Sequence, residues 1–131
     1  MAEGEQPGSV NADAFIASAI KLGERDGVAA LDADQRLVYL ISEAEVHCDM
    51  NGIDAFLDRY CPLWMAEAGD AFAAIGATEI AAALKKITPD TPYEDPLLHR
   101  LNDLITKRSG YDYEAISNEI ERRLARRSAE S

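Results

Sequence analysis

The chain has 131 residues, 47% of them hydrophobic, and 24 Asp and Glu against 13 Lys and Arg give a formal net charge of −11. This length suits one compact domain, and the hydrophobic content excludes wholesale disorder. The negative charge disfavours nucleic acid and anionic membranes as ligands. No apolar run approaches the roughly 18 residues of a membrane span. The acidic N-terminus lacks the features of a secretory signal, and two cysteines make no disulfide framework, so a cytoplasmic location is expected.

Charge is distributed unevenly along the sequence. Residues 1–84 contain 15 acids and four bases, whereas residues 85–131 contain nine of each. The acids are densest from Asp26 to Asp58, where eight of them accompany a single base, Arg36. This pattern predicts a local acidic surface, with solubility as the open alternative to recognition.

The first helical signals follow a polar segment. Residues 1–10 hold two Gly and one Pro, which predicts a flexible N-terminal tail before a single helical domain over residues 11–131. Asn11 is the expected N-cap of the first helix, and Gly23 and Gly27 are its expected end. The apolar residues of this helix share one face: Phe15, Ile16, Ala19 and Ile20.

The second helix has a start signal and two apolar stripes. Asp32 and Gln35 have the spacing of a capping box. Two apolar faces favour a central position for a helix, or one between a core and a partner. One stripe consists of Leu37, Ile41, Ala44 and Cys48, and the other of Tyr39, Val46 and Met50.

Three further helices are predicted in the middle third of the chain. Asn51-Gly52 is a break, Pro62 suits a first helical turn, Gly69 is an expected interruption before Asp70, and Gly76 separates a short helix over residues 77–87. The expected inward residues are Ile53, Phe56, Leu57 and Tyr60, then Met65, Ala68, Phe72 and Ile75, then Ile80 and Leu84.

The last third of the chain is predicted to contain a loop and two helices. Residues 88–92 contain two prolines and cannot form a helix interior. Asp95-Pro96 has the pattern of a helix cap, and Glu119 lies within helical reach of Arg122 and Arg123. No segment alternates like a strand. The fold class predicted is therefore all-α, a single-domain irregular bundle of six or seven short helices.

Residues with catalytic or metal-binding chemistry are few. The cysteines Cys48 and Cys61 are too far apart for a structural zinc pair, and His47, Asp49 and His99 complete no known spacing. Acidic neighbours of Cys48 oppose a reactive thiolate. We expect no catalytic, metal or cofactor site. An enzyme of unknown reaction remains the alternative, and it requires a cleft with a perturbed His or carboxylate.

Part of the sequence resembles a known family. The chain contains Glu45-Val46, then Met50-Asn51-Gly52-Ile53-Asp54-Ala55-Phe56-Leu57, and after Gly69 the segment Ala71-Phe72-Ala73-Ala74-Ile75-Gly76-Ala77-Thr78-Glu79-Ile80-Ala81. Over residues 45–87 this is similar to a bacterial DNA-mimic-protein-like family of small acidic helical proteins, most of unknown function, with the pattern Asn-Gly-Gly-Phe-x-Gln followed by Ile-Gly-Ala. The chain has Ile53 in place of the Phe and Ala55 in place of the Gln.

The resemblance implies an acidic surface that stands in for a nucleic-acid backbone and occupies a basic protein partner, such as a DNA-binding regulator. We therefore expect a non-enzymatic protein-interaction domain. A structural or oligomerising subunit, such as a homodimer that covers the stripe of Tyr39, Val46 and Met50, is the other alternative. The expected interaction surface comprises seven acids: Asp32, Asp34, Glu43, Glu45, Asp49, Asp54 and Asp58.

Overall fold

A computed structural model describes the backbone of residues 7–130 and the side-chain surroundings of residues 12–127. Within these residues there are seven α-helices, one short 3-10 helix and no strand, which confirms the all-α prediction. The helices are α1 (Pro7–Asp26), α2 (Ala33–Met50), α3 (Ile53–Tyr60), α4 (Met65–Ala74), α5 (Thr78–Lys86), α6 (Pro96–Thr106) and α7 (Tyr113–Glu130), and the 3-10 helix is Val28–Ala30.

The chain divides into two compact units. The first comprises Met1–Tyr39 with Asp112–Ser131, and the second comprises Leu40–Tyr111. Helix α2 is continuous through the boundary between them. The single domain over residues 11–131 remains a prediction. Of the predicted tail, residues 1–6 lie outside the described residues, whereas residues 7–10 are helical.

The first unit is built on the packing of α1 against α7. The predicted Asn11 cap is wrong, because α1 already begins at Pro7. Gly23 does not end α1 either. It lies inside the helix, where a Cβ atom would come within 2.3 Å of the Tyr39 ring. Gly27 follows the helix with φ 90°, so the second predicted stop is confirmed. Buried residues of this unit include Ile16, Ala19, Ile116 and Ile120.

Helix α2 begins at the predicted capping box. The Gln35 amide N–H donates to Asp32 Oδ1 at 2.9 Å, and the Asp32 amide N–H donates to Gln35 Oε1 at 2.9 Å. The second apolar stripe divides, because Tyr39 is buried while Val46 and Met50 are exposed. The first stripe is buried as predicted at Leu37, Ile41, Ala44 and Cys48.

In the second unit, α3 packs against α6, and α5 packs against both α4 and α6. Gly52 supports the predicted break with φ 101° and offers no side chain to cap α3. The Ile53 amide N–H instead donates to Asn102 Oδ1 of α6 at 2.8 Å. The predicted inward faces of these helices are buried at Ile53, Phe56, Leu57, Tyr60, Met65, Ala68, Phe72, Ile75, Ile80 and Leu84.

Two expectations about α4 are wrong. Pro62 precedes the helix by three residues, because α4 begins at Met65. Gly69 does not interrupt α4. It is buried, and the Lys85 methylenes lie 3.1 Å from the position of its missing Cβ, so the small residue admits a side chain of α5.

The start of α6 follows the sequence signal, and the helix ends three residues before Ser109-Gly110, the pair that the sequence offers as its stop. Asp95 Oδ1 accepts a hydrogen bond from the Leu97 amide at 2.8 Å, which confirms the cap. The helix ends at Thr106, and Arg108 then takes a left-handed conformation with φ 51°, unusual for a residue with a side chain. Among the described helices, none is both long and apolar enough to cross a bilayer.

Candidate interaction surface

The seven predicted surface acids fall in both compact units. Asp32 and Asp34 belong to the first unit, and the other five belong to the second. Their surroundings divide them into acids that are paired with arginine and acids that are not.

Arginines of α7 pair with the two predicted surface acids of the first unit, Asp32 and Asp34. Asp34 is only 16% exposed and lies 2.8 Å from Arg123 Nη1 and 2.9 Å from Arg127 Nε. Asp32 Oδ2 accepts from Arg127 Nη2 at 3.0 Å. Arg123 also pairs with the buried Glu119, as the helical spacing predicted. These carboxylates are neutralised within their own unit, so they present little net charge to a partner.

Glu45 and Asp49 share one cation. Arg108 donates to both carboxylate oxygens of Asp49 at 3.1 and 3.0 Å, and its Nε lies 3.5 Å from Glu45 Oε2. The hydrogen bond from Arg108 lowers the pKa of Asp49 below its ordinary value. Tyr111 donates to Glu45 at 2.5 Å, and burial followed by this bond raises the pKa of the Tyr111 phenol. We call Glu45, Asp49, Arg108 and Tyr111 the Arg108 cluster.

Glu43 is half-buried and lies beside two polar groups. Tyr60 donates its hydroxyl to Glu43 Oε1 at 2.6 Å, and His47 Nε2 lies 3.5 Å from the same oxygen. The carboxylate is therefore fixed in orientation, and its accessible surface is small.

Asp54 and Asp58 differ from the other five acids. Both are exposed on α3, four residues apart, and neither forms an ion pair within the described residues. Tyr93 donates its hydroxyl to Asp58 Oδ1 at 2.8 Å. A neutral donor orients a carboxylate without removing its charge. We call Asp54, Asp58 and Tyr93 the α3 surface.

An open cleft of ≈ 420 Å³ adjoins the α3 surface. Its lining residues include two acids, Asp54 and Asp103, together with Tyr93 and the buried Leu98. A second cleft of ≈ 460 Å³ includes Asp58 and the loop of residues 87–92, and it shares Tyr93 and Leu98 with the first. Tyr93 therefore stands between the two clefts.

Several residues of these sites were missed by sequence reasoning. Three tyrosines each donate a hydrogen bond to one of the predicted acids: Tyr60, Tyr93 and Tyr111. Arg108 pairs with two of the predicted acids, Glu45 and Asp49. A tyrosine in an otherwise polar loop with prolines, such as Tyr93 after Pro92, is a signal that the sequence does contain. The partners of these tyrosines follow only from the fold.

The cysteines and histidines considered for catalysis or metal binding differ in burial. Cys48 is buried, and burial followed by the charge of Asp49 raises the pKa of its thiol to about 12. Cys61 is half-buried, and His99 is exposed on the first cleft. Among the described residues, no group of three or more His, Cys, Asp or Glu side chains is arranged to hold a metal ion.

The chain matches one protein family over most of its length. A family model described as DMP19-like protein matches residues 29–129. This range includes all seven predicted surface acids and both clefts. Comparison with curated proteins and with solved structures gives no match.

Proposed function

The chain belongs to the family of DMP19-like proteins, and we propose that it is a non-enzymatic DNA mimic that occupies the basic surface of a DNA-binding protein. The family name, in which DMP19 stands for DNA mimic protein 19, is compatible with this function. The observation that carries the proposal is the α3 surface, where exposed carboxylates have no cation within the described residues.

The spacing of the α3 carboxylates supports the proposal. Asp54 and Asp58 are separated by about 6 Å of helical rise. Alternate phosphates of one DNA strand are separated by about 6.8 Å along the axis. A basic groove that accepts phosphates at this interval therefore meets two charges at a similar interval on α3.

The surroundings of these carboxylates also suit recognition. A fixed charge that keeps its full value steers a basic partner and pairs with it at little ordering cost. The Tyr93 hydroxyl fixes Asp58 in this way. In contrast, Arg108 already satisfies Asp49, so a partner would have to displace an internal arginine there.

The burial of Cys48 argues against its use as a nucleophile. A thiol is nucleophilic as the thiolate, and burial of Cys48 raises its pKa to about 12. This supports an interaction domain over an enzyme that uses Cys48.

Affinity capture from an extract of the source organism tests the proposal. The tagged protein is the bait, bound proteins are identified, and an excess of duplex DNA is then added to the washed complex. DNA mimicry predicts a DNA-binding protein that is released by the duplex, because the bait and the DNA compete for one surface. A partner that the duplex leaves bound contradicts mimicry.

Two double variants separate the α3 surface from net charge. Asp54→Asn with Asp58→Asn removes the unpaired carboxylates. Asp70→Asn with Glu79→Gln changes net charge equally, but its exposed acids already pair with Lys85 and Arg100. The first variant is expected to lose capture, and the second is expected to retain it.

A further inference from the structure

We propose that the cleft between α3 and α6 binds an arginine side chain of the partner, with the guanidinium against the Tyr93 ring and between the carboxylates of Asp54 and Asp103. This inference rests on the proposed function and deepens it, because it names the side chain by which the partner is recognised. It predicts a partner that is rich in arginine rather than lysine.

The cleft has the polarity that a cationic side chain needs. Asp54 and Asp103 are both exposed and both line it, and neither forms an ion pair within the described residues. Asn102 also lines the cleft, but its Oδ1 is used by the Ile53 amide. Two acids without an ion-pair partner therefore line one opening, whose other lining residues are uncharged apart from the ionisable His99.

The aromatic wall of the cleft is independent of these charges. Tyr93 is one of the large side chains that the fold leaves exposed, at 59% of the residue. Its hydroxyl is anchored on Asp58 Oδ1 at 2.8 Å, and this bond fixes the ring at the boundary of the two clefts. The ring is held in place while its face remains available.

This combination discriminates between the two basic side chains. A guanidinium is planar, stacks on an aromatic face and donates to two acceptors at once, whereas an ammonium is a strongly hydrated point charge. Leu98, which is buried and lines the same cleft, offers an apolar surface to the methylenes of the bound side chain. The carboxylates alone would attract both cations, so the preference for arginine resides in Tyr93.

Two synthetic peptides test the preference without a natural partner. Fluorescein-labelled hexaarginine and hexalysine are titrated with the full chain at low ionic strength, and binding is followed by anisotropy. The ratio of the two dissociation constants is the readout. For the unaltered chain, we expect hexaarginine to bind about two- to fivefold more tightly, as an exposed cation–π contact provides.

Variants assign the preference to the ring. Tyr93→Leu is expected to bring the ratio close to one while it changes hexalysine binding little. Tyr93→Phe retains the ring and keeps most of the preference. Asp54→Asn with Asp103→Asn weakens both peptides and leaves the ratio unchanged. Asp70→Asn with Glu79→Gln changes the net charge equally, but it is expected to change the dissociation constants of both peptides only slightly.

The outcomes separate this inference from the proposed function. A ratio that Tyr93→Leu leaves unchanged overturns the arginine site but not the acidic interaction surface. Failure of the unaltered chain to bind either peptide contradicts both. Chemical shifts of the Asp54 and Tyr93 amides that move with hexaarginine support the site, and shifts confined to residues outside the cleft overturn it.

Discussion

The Arg108 cluster and the α3 surface each contain two carboxylates four residues apart on a helix, but the fold uses them differently. In the Arg108 cluster, one guanidinium lies 3.0 Å from Asp49 and 3.5 Å from Glu45. On the α3 surface, Asp58 accepts from the Tyr93 hydroxyl, and Asp54 has no hydrogen-bond or ion-pair partner within the described residues.

The difference shows that the density of acids along a sequence does not measure the charge that a surface presents. Arginine neutralises the carboxylates that it holds, and such pairs contribute to stability. Tyrosine orients a carboxylate and leaves its charge for a partner. Arg108 thus ties Glu45 and Asp49 to the fold, whereas the binding role of Asp54 and Asp58 belongs to the function that we propose.

The largest expected effect on stability comes from Arg108. Arg108→Ala leaves Glu45 and Asp49 without their cation and removes hydrogen bonds to the carbonyls of Ile105 and Thr106. We expect the free energy of unfolding to fall by about 1–2 kcal/mol in urea denaturation, because these groups are partly exposed.

Two matched variants sharpen this prediction. Arg108→Gly loses the same contacts but accepts the φ of 51° without strain, so it is expected to be about 1 kcal/mol more stable than Arg108→Ala. Asp54→Asn with Asp58→Asn should change stability by at most about 0.5 kcal/mol. Equal losses from the α3 and Arg108 variants would remove the distinction between the two regions.

The effect of Arg108 also depends on pH. Its hydrogen bond lowers the pKa of Asp49 in the folded state, so the pair stabilises the fold above the ordinary aspartate pKa of about 3.9. This contribution is lost as the pH falls through the lowered pKa of the folded state. We therefore expect the gap in stability between the unaltered chain and Arg108→Ala to narrow from pH 7 to pH 3. A carboxyl NMR titration in which Arg108→Ala leaves the Asp49 pKa unchanged would contradict this assignment.

The smallest expected effect is on the ionisation of Tyr93. Its hydrogen bond to Asp58, followed by the charge of that carboxylate, raises the pKa of the Tyr93 phenol. Asp58→Asn is therefore expected to lower this pKa, which a ring-carbon NMR titration measures with little change in stability. Tyr113, whose pKa is raised by burial and by its bond to Asp13, is the internal control and should not respond.

Much of the fold was predictable because it follows from local patterns. The capping box of Asp32 and Gln35, the break at Gly52 and the cap at Asp95 all use residues within a few positions of one another. Apolar periodicity likewise identified the buried faces of α3, α4 and α5, but not the second stripe of α2, where Val46 and Met50 are exposed. The helix boundaries predicted at Asn11, Pro62 and Gly69 were wrong, because a residue that permits a helix boundary does not require one.

The pairing of acids was not predictable from these patterns. Arg108 is 59 residues from Asp49, and Tyr111 is 66 residues from Glu45. Periodicity tells which face of a helix is polar, but not which distant side chain meets it. The sequence placed all net negative charge before residue 85, and the fold brings Arg108, from the later segment, to that charge.

The central claim is that the α3 surface, rather than total charge, binds a basic partner. The most direct measurement is the affinity of the captured DNA-binding partner as a function of salt, for the unaltered chain and for the two double variants of equal net charge. We predict that Asp54→Asn with Asp58→Asn weakens binding at least about tenfold at low salt and flattens its salt dependence, while Asp70→Asn with Glu79→Gln does neither. Equal weakening by both double variants would contradict the claim.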